Sequence, residues 1–240
     1  MTPEGGSAVV LGHRGGRGPG WPAENSLAAF QRALDEGADG VELDVRRCAT
    51  GELVVTHDPV LADGRKVADV AYADHGWATL DEALDLCARH IVNVEVKPDQ
   101  PRRFAVAADV ARVLRRTRAR DVVLSSFDPG LVLALAAVAP KTPRAMLVGS
   151  RTPRLVVHLP LVLRRAIEAA HLDDALVTAA HVARLKKAGL RVVVWTVNDP
   201  TRARALAEMG VEWLITDQPG AIVSLRTPPA RPPSRPAPAA

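Results

Sequence analysis

Aromatic residues are scarce in this 240-residue chain, at 3% of the total. A core must therefore be built mainly from Ala, Val and Leu, and few rings remain on which nucleic-acid bases could stack. Cysteine is scarcer still. Cys48 and Cys87 are the only two, too few for a disulfide framework, and they read as packed thiols of a reducing compartment, with one bridge as the alternative. Long apolar runs are missing. The longest, Leu131–Ala139 and the His- and Pro-interrupted Leu155–Leu163, are too short to span a bilayer. The opening MTPEGGSAVV has neither the basic region nor the apolar run of an export signal. These absences predict a cytoplasmic protein with no stable membrane anchor.

An excess of one charge is missing too. The formal net charge is +4, but Arg226, Arg231 and Arg235 lie in a C-terminal stretch without acids, leaving 28 basic against 27 acidic groups in residues 1–225. A near-neutral body poor in aromatics is not expected to bind nucleic acid. Arg112, Arg115, Arg116 and Arg118 recur at helical spacing with Ala and Val between them, which reads as a solvated helix face.

What is present is a repeated alternation of short apolar runs with amphipathic helical patterns, the pattern of βα units around a parallel sheet. Strand starts fall near Ala8, Val41, Ile91, Val122, Ala145, His171, Val192 and Trp213. Leu27, Phe30 and Leu34 form a helical stripe closed by Gly37. Thr79 and Glu82 make a capping box, Arg103–Arg116 is a helix, and Asp199-Pro200 opens another that Gly210 ends. The spacing predicts a helix near Leu161–Ala170. Eight strands in about 225 residues match an α/β fold of the TIM (β/α)8 barrel type. An open doubly wound sheet is the alternative, disfavoured because no glycine-rich phosphate loop opens the first βα turn. Residues 1–226 are expected to form a single domain, and the Pro/Ala-rich residues 227–240 a disordered tail.

In a barrel, the C-terminal ends of the strands converge on one rim. His13 and Arg14 fall there, as do Glu42 and Asp44, Glu95 and Lys97, Ser125-Ser126, Trp195 and Thr216-Asp217. Within GVELDV, alternation aims Glu42 and Asp44 at one face, and His57 closes the next short run. A lone glutamate on a strand is ordinarily solvated or salt-bridged. Three carboxylates together, Glu42, Asp44 and Glu95, repel one another unless a cation or proton intervenes, and hard oxygen donors suit Mg2+ or Ca2+. No Cys/His spacing suited to zinc is present. Arg14 and Lys97 suit a phosphate, and His13 and His57 can move protons. Lys97 before Pro98 also fits a strand-end surface lysine, and Trp195 fits core packing as well as substrate contact. Ser125, Ser126 and Asp217 read as structural hydrogen bonders, and His75, His90, His158, His171 and His181 have no evident partners. The set is that of a metal-assisted phosphodiester-cleaving site.

Seven motifs in order, HRG (13–15), AENSLAAF (23–30), GADGVELDV (37–45), VVTHDPVL (54–61), NVEVK (93–97), VVVWTVND (192–199) and GVEWLITDQP (210–219), resemble the glycerophosphodiester phosphodiesterases over roughly residues 8–220. That resemblance implies a TIM barrel whose small-molecule substrate is a glycerophosphodiester, cleaved to glycerol 3-phosphate and an alcohol. It implies Glu42, Asp44 and Glu95 as ligands of a divalent cation, and His13 and His57 as the acid/base pair. Arg14 and Lys97 would hold the phosphate, Glu24 would support them, and Trp195 would line the pocket. It further implies attack by the glycerol 2-hydroxyl and opening of a cyclic phosphate by water, with the two histidine roles unassigned.

The sequence departs from the family pattern in three places. The Pro-Glu-Asn-Thr stretch reads Pro22-Ala23-Glu24-Asn25-Ser26, the segment after His57 is compact, and Glu212-Trp213 replaces the usual Asp-Gly. The compact segment is expected to leave the pocket more open. Two other readings remain: a lysophospholipase D, with Arg154 to Arg165 forming an apolar lip, and a catalytically silent binding barrel. The oligomeric state is open.

Overall fold

The structure, a computed structural model, describes residues 8–151 and 157–226. Nine strands form one sheet: β1 (Val9–His13), β2 (Gly40–Arg47), β3 (Leu53–Val55), β4 (Ile91–Val96), β5 (Val122–Ser126), β6 (Arg144–Val148), β7 (Ala169–Asp173), β8 (Arg191–Trp195) and β9 (Trp213–Thr216). All are parallel except β3, which turns back on the far end of β2, Val45 facing Val55 and Arg47 facing Leu53. β1 pairs with β2 on one side, His13 opposite Glu42, and with β9 on the other, Gly12 opposite Thr216. The eight parallel strands therefore close on themselves, and the fold is a TIM barrel.

The helices are α1 (Leu27–Asp35), α2 (Leu80–Leu86), α3 (Arg103–Leu114), α4 (Pro129–Val138), α5 (Leu159–Leu163), α6 (Ala179–Lys187), α7 (Pro200–Glu208) and α8 (Pro219–Val223). Alternation along each strand separates two cores. Val41, Leu43 and Val45 of β2 pack outward with Phe30 of α1 and Leu80 and Leu84 of α2. Leu11, Val123, Ala145, Ala169, Val193 and Ile215 fill the barrel interior. A strand buried on both faces needs apolar residues at successive positions, which is why these runs are nearly continuous. Each fully buried Val or Leu contributes roughly 1.5–3 kcal/mol, so small aliphatic residues suffice where aromatics are few.

Helix boundaries follow local chemistry. Ser26 Oγ accepts from the Ala29 N–H (3.1 Å), and Thr79 and Glu82 form the reciprocal capping box. Asp199 accepts from the N–H groups of Thr201 and Arg202, with Pro200 in the first turn. Gly37 and Gly210, at φ 89° and 86°, turn the chain away after α1 and α7.

Two expectations need correction. The helix expected near Leu161–Ala170 is instead α5, which ends at Leu163, and Ala169 and Ala170 belong to β7. Their alanines favour a helix locally. Ala169 instead fills the barrel interior, Ala170 packs outward, and the ladder to β6 and β8 decides the outcome. The helix expected over Arg103–Arg116 stops at Leu114, with Arg115 as its cap. In the stretch read as an apolar lip, Leu159, Leu161 and Leu163 pack against the outer core, while Val162 is exposed. Residues 152–156, with Arg154, lie outside the described residues, as do 227–240. Cys48 and Cys87 are buried and free. No helix of the described residues is long and apolar enough to cross a membrane.

Candidate active site

The turn after β1 sets one side of the site. Gly15 N–H donates to Gly12 O (3.1 Å), Arg14 adopts φ 52° and Gly15 φ 88°. A Cβ on Gly15 would lie 2.7 Å from the Ala29 backbone, so α1 packs against this turn only because glycine stands there. The turn aims the Arg14 N–H at Glu42 Oε2 (3.0 Å) and brings Arg14 Nε to 3.3 Å from Asp44 Oδ2. Arg14 Nη1 donates to Glu24 Oε1 (2.7 Å), which places Glu24 beside the arginine.

Glu42, Asp44 and Glu95 are all buried, and one oxygen from each lies within 4.8 Å of the others. The register explains it, because Asp44 of β2 stands opposite Glu95 of β4. Lys97 reaches back to both, with Nζ 2.7 Å from Asp44 Oδ1 and 2.6 Å from Glu95 Oε1. It is buried, so it is not a surface lysine. Burial pushes the Glu42 carboxyl well above the usual range, and neighbouring Asp44 and Glu95 push it further. Burial raises Glu95 to about 7 despite Lys97. For Asp44, burial acts upward too, but Lys97 and Arg14 outweigh it and hold the carboxyl below its ordinary value. Two cations thus leave three carboxylates short of positive charge. A set of hard oxygens in that condition fits a divalent cation.

Asn25, overlooked in the sequence, holds Asp44 from the other side. Its Nδ2 donates to Asp44 Oδ2 (2.9 Å), and its Oδ1 accepts from the Asp44 N–H (3.2 Å). Its backbone at φ 59° is one that Asn tolerates better than most residues, the signal that stood unread in the Ala-Glu-Asn-Ser stretch.

The two histidines are held differently. His13 Nδ1 bonds Asp217 Oδ1 at 2.7 Å, and His13 Nε2 lies 4.0 Å from Glu42 Oε2. Asp217 is thus a partner of His13 as well as a structural hydrogen bonder. Burial alone would raise its carboxyl, yet hydrogen bonds from His13, Arg17 and Asn198 hold it far below the usual range. His57 stands on the loop after β3, its Nδ1 2.7 Å from the exposed Asp58. The loop is anchored by Arg46, whose Nε donates to His57 O (2.8 Å) and whose Nη2 pairs with Asp99 (2.9 Å). Burial and then Lys97 lower the His57 pKa.

His13, Glu42, His57, Lys97 and Trp195 border a cavity of about 170 Å3 at the C-terminal end of the barrel. Trp195 also packs edge-on against Phe127, with centroids 5.6 Å apart, so it serves the core and the cavity wall together. Beyond His57 lies a wider hollow of about 640 Å3, walled by Glu24, Leu61, Tyr72 and Trp77. The compact segment after His57 builds one side of that hollow.

A model of the glycerophosphoryl diester phosphodiesterase family matches residues 13–221. The chain belongs to this family. A glycerophosphodiester phosphodiesterase of Bacillus altitudinis is 28% identical over 245 residues, covering 90% of this chain and 97% of that protein. The crystal structure of a putative glycerophosphoryl diester phosphodiesterase from Silicibacter pomeroyi superposes with a TM-score of 0.82 at 29% identity, over 91% of this chain and 92% of that one. A phosphodiesterase of Oleispira antarctica, solved with the product sn-glycerol-3-phosphate, shares the fold at a TM-score of 0.80 and 23% identity, over 91% and 96% of the two chains. The matched region spans nearly the whole barrel, with the carboxylate cluster and both histidines inside it.

Proposed function

We propose that this chain hydrolyses glycerophosphodiesters to glycerol 3-phosphate and an alcohol, working in the cytoplasm as one domain over residues 1–226. One observation carries the reading: Glu42 and Glu95 line a rim cavity with His13, His57, Arg14 and Lys97, and Asp44 completes their carboxylate cluster. The product bound to the Oleispira antarctica enzyme supports it.

Glu42, Asp44 and Glu95 would hold Mg2+ or Ca2+, which supplies Lewis-acid stabilisation of charge on the phosphate oxygens. Arg14 and Lys97 bind the phosphate and orient it, with Glu24 keeping the Arg14 guanidinium in place. One histidine takes the proton of the glycerol 2-hydroxyl as that oxygen attacks phosphorus. The other gives a proton to the departing alcohol oxygen, and the pair exchange roles when water opens the cyclic phosphate. The leaving alcohol sits in the hollow beyond His57, and Trp195 closes the cavity on the other side.

Release of glycerol 3-phosphate from a panel of diesters, with and without EDTA, tests this for the wild type and His57→Ala. Release that depends on both the cation and His57 is the expected result. Silence across the panel would sink the reading and direct the assay to lysophospholipids.

A further inference from the structure

We propose that Asp217 is the positioning residue of His13, fixing its ring and its tautomer so that Nε2 faces the cavity; this rests on the reading of His13 as a proton-transfer group. The barrel closure creates the contact. Gly12 stands opposite Thr216, so the next residues along, His13 and Asp217, leave adjacent strands side by side. The two are separated by 204 positions in sequence.

Asp217 is itself held from every side. Oδ1 accepts from Arg17 Nε (2.8 Å) as well as meeting His13 Nδ1, and Oδ2 accepts from Asn198 Nδ2 (2.8 Å). The Asn198 orientation is not arbitrary. Its Oδ1 accepts from the Asp217 N–H (2.9 Å) and from Thr216 Oγ1 (3.0 Å), so its amide nitrogen must face the carboxylate. The Asp217 carbonyl accepts from the Arg17 N–H (3.0 Å). With Arg17 Nε and Asn198 Nδ2 donating one to each oxygen, Asp217 is held as a carboxylate, which can only accept. His13 Nδ1 must therefore carry a hydrogen, and Nε2 is the atom left to exchange a proton in the cavity.

His57 has no such support. Its carboxylate partner is the adjacent residue Asp58, whose side chain is 76% exposed. One histidine is fixed by the fold, and the other rides on a loop.

The test begins with the 15N spectrum of the histidine side chains in the intact protein. A proton on His13 Nδ1 is expected, and a neutral ring carrying its proton on Nε2 overturns the proposal. Asp217→Asn places an amide that can donate to Nδ1, so the ring should change tautomer and kcat should fall by roughly 10²- to 10⁴-fold. KM and divalent-cation affinity should stay within a few-fold. In a His13→Ala background the same substitution should cost nothing further. An equal loss in both backgrounds would make Asp217 a structural seam residue and overturn the inference. Asn198→Ala, which keeps the carboxylate, should give a smaller fall in kcat with the tautomer retained, and it decides the matter if Asp217→Asn does not fold. Full turnover by His13→Ala would instead overturn the role given to His13, whatever the spectrum of the wild type.

Discussion

Two carboxylates two residues apart on one strand are treated oppositely by their surroundings. Asp44 has Lys97, Arg14 and Asn25 around it and is held ionised. Glu42 has the Arg14 N–H, with His13 4.0 Å away, and its carboxyl is raised. Glu42 and Glu95 are therefore the acids whose charge most needs compensation. Their folded pKa values are raised, so without a cation Glu95 favours its protonated form below about 7, and burial beside Asp44 and Glu95 shifts Glu42 the same way. A cation favours the ionised forms, so binding must expel protons in that range. Calorimetric titration with Mg2+ or Ca2+ at pH 6, in buffers of different ionisation enthalpy, should show net proton release, and affinity should climb as pH rises through about 7. Affinity that is flat between pH 5.5 and 8 would contradict this.

At the scale of elements, much of the site's precision comes from connections rather than from strands. The β1–α1 turn carries Arg14, makes room for α1 through Gly15, and leads to Asn25. Gly15→Ala should therefore do two things. At φ 88° and with Ala29 atoms 2.7–2.9 Å from the new methyl, it should cost on the order of 1–3 kcal/mol, read as a lowered melting temperature. It should also cut turnover by pulling Arg14 from Glu42 and Asp44; a variant with wild-type melting and turnover would refute the argument. The strands themselves were legible because burial on both faces demands continuous apolar runs, and the placing of Glu42 and Asp44 on one face followed from alternation. The β7 start was not, because Ala169 and Ala170 are helix formers whose partners on β6 and β8 are remote in sequence. Asn25 and Asp217 were missed as partners of Asp44 and His13 for the same reason: what each one touches is set by closure and by a left-handed turn, neither of which alternation reveals.

At the scale of the whole molecule, the barrel interior holds one buried ionisable ring away from the rim. His171 on β7 is fully buried, and neither ring nitrogen has a hydrogen-bond partner among the described residues. Burial, then Arg191, lowers its pKa to about 3. The unfolded chain protonates this ring near pH 6.5, whereas the folded one resists until about pH 3. Folding therefore loses stability as pH falls between those values, by an amount on the order of several kcal/mol. His171→Leu should abolish that loss, so denaturation curves should show the variant gaining on the wild type steadily from pH 6.5 down to about 4. Parallel curves for the two proteins would disprove it.

The bond between His13 and Asp217 ties the first strand to the last. A growing chain on the ribosome therefore exposes its carboxylates and both histidines long before the ring of His13 has anything to lean on. Until residue 217 has emerged, β1 also lacks a neighbour on one side, and a polypeptide stalled or clipped before β9 presents the open edges of β1 and β8 to other chains. The same seam that completes the chemistry also conceals those edges. Competence and the covering of those edges are thus gained together, in the final stretch of synthesis, and an unfinished copy has neither.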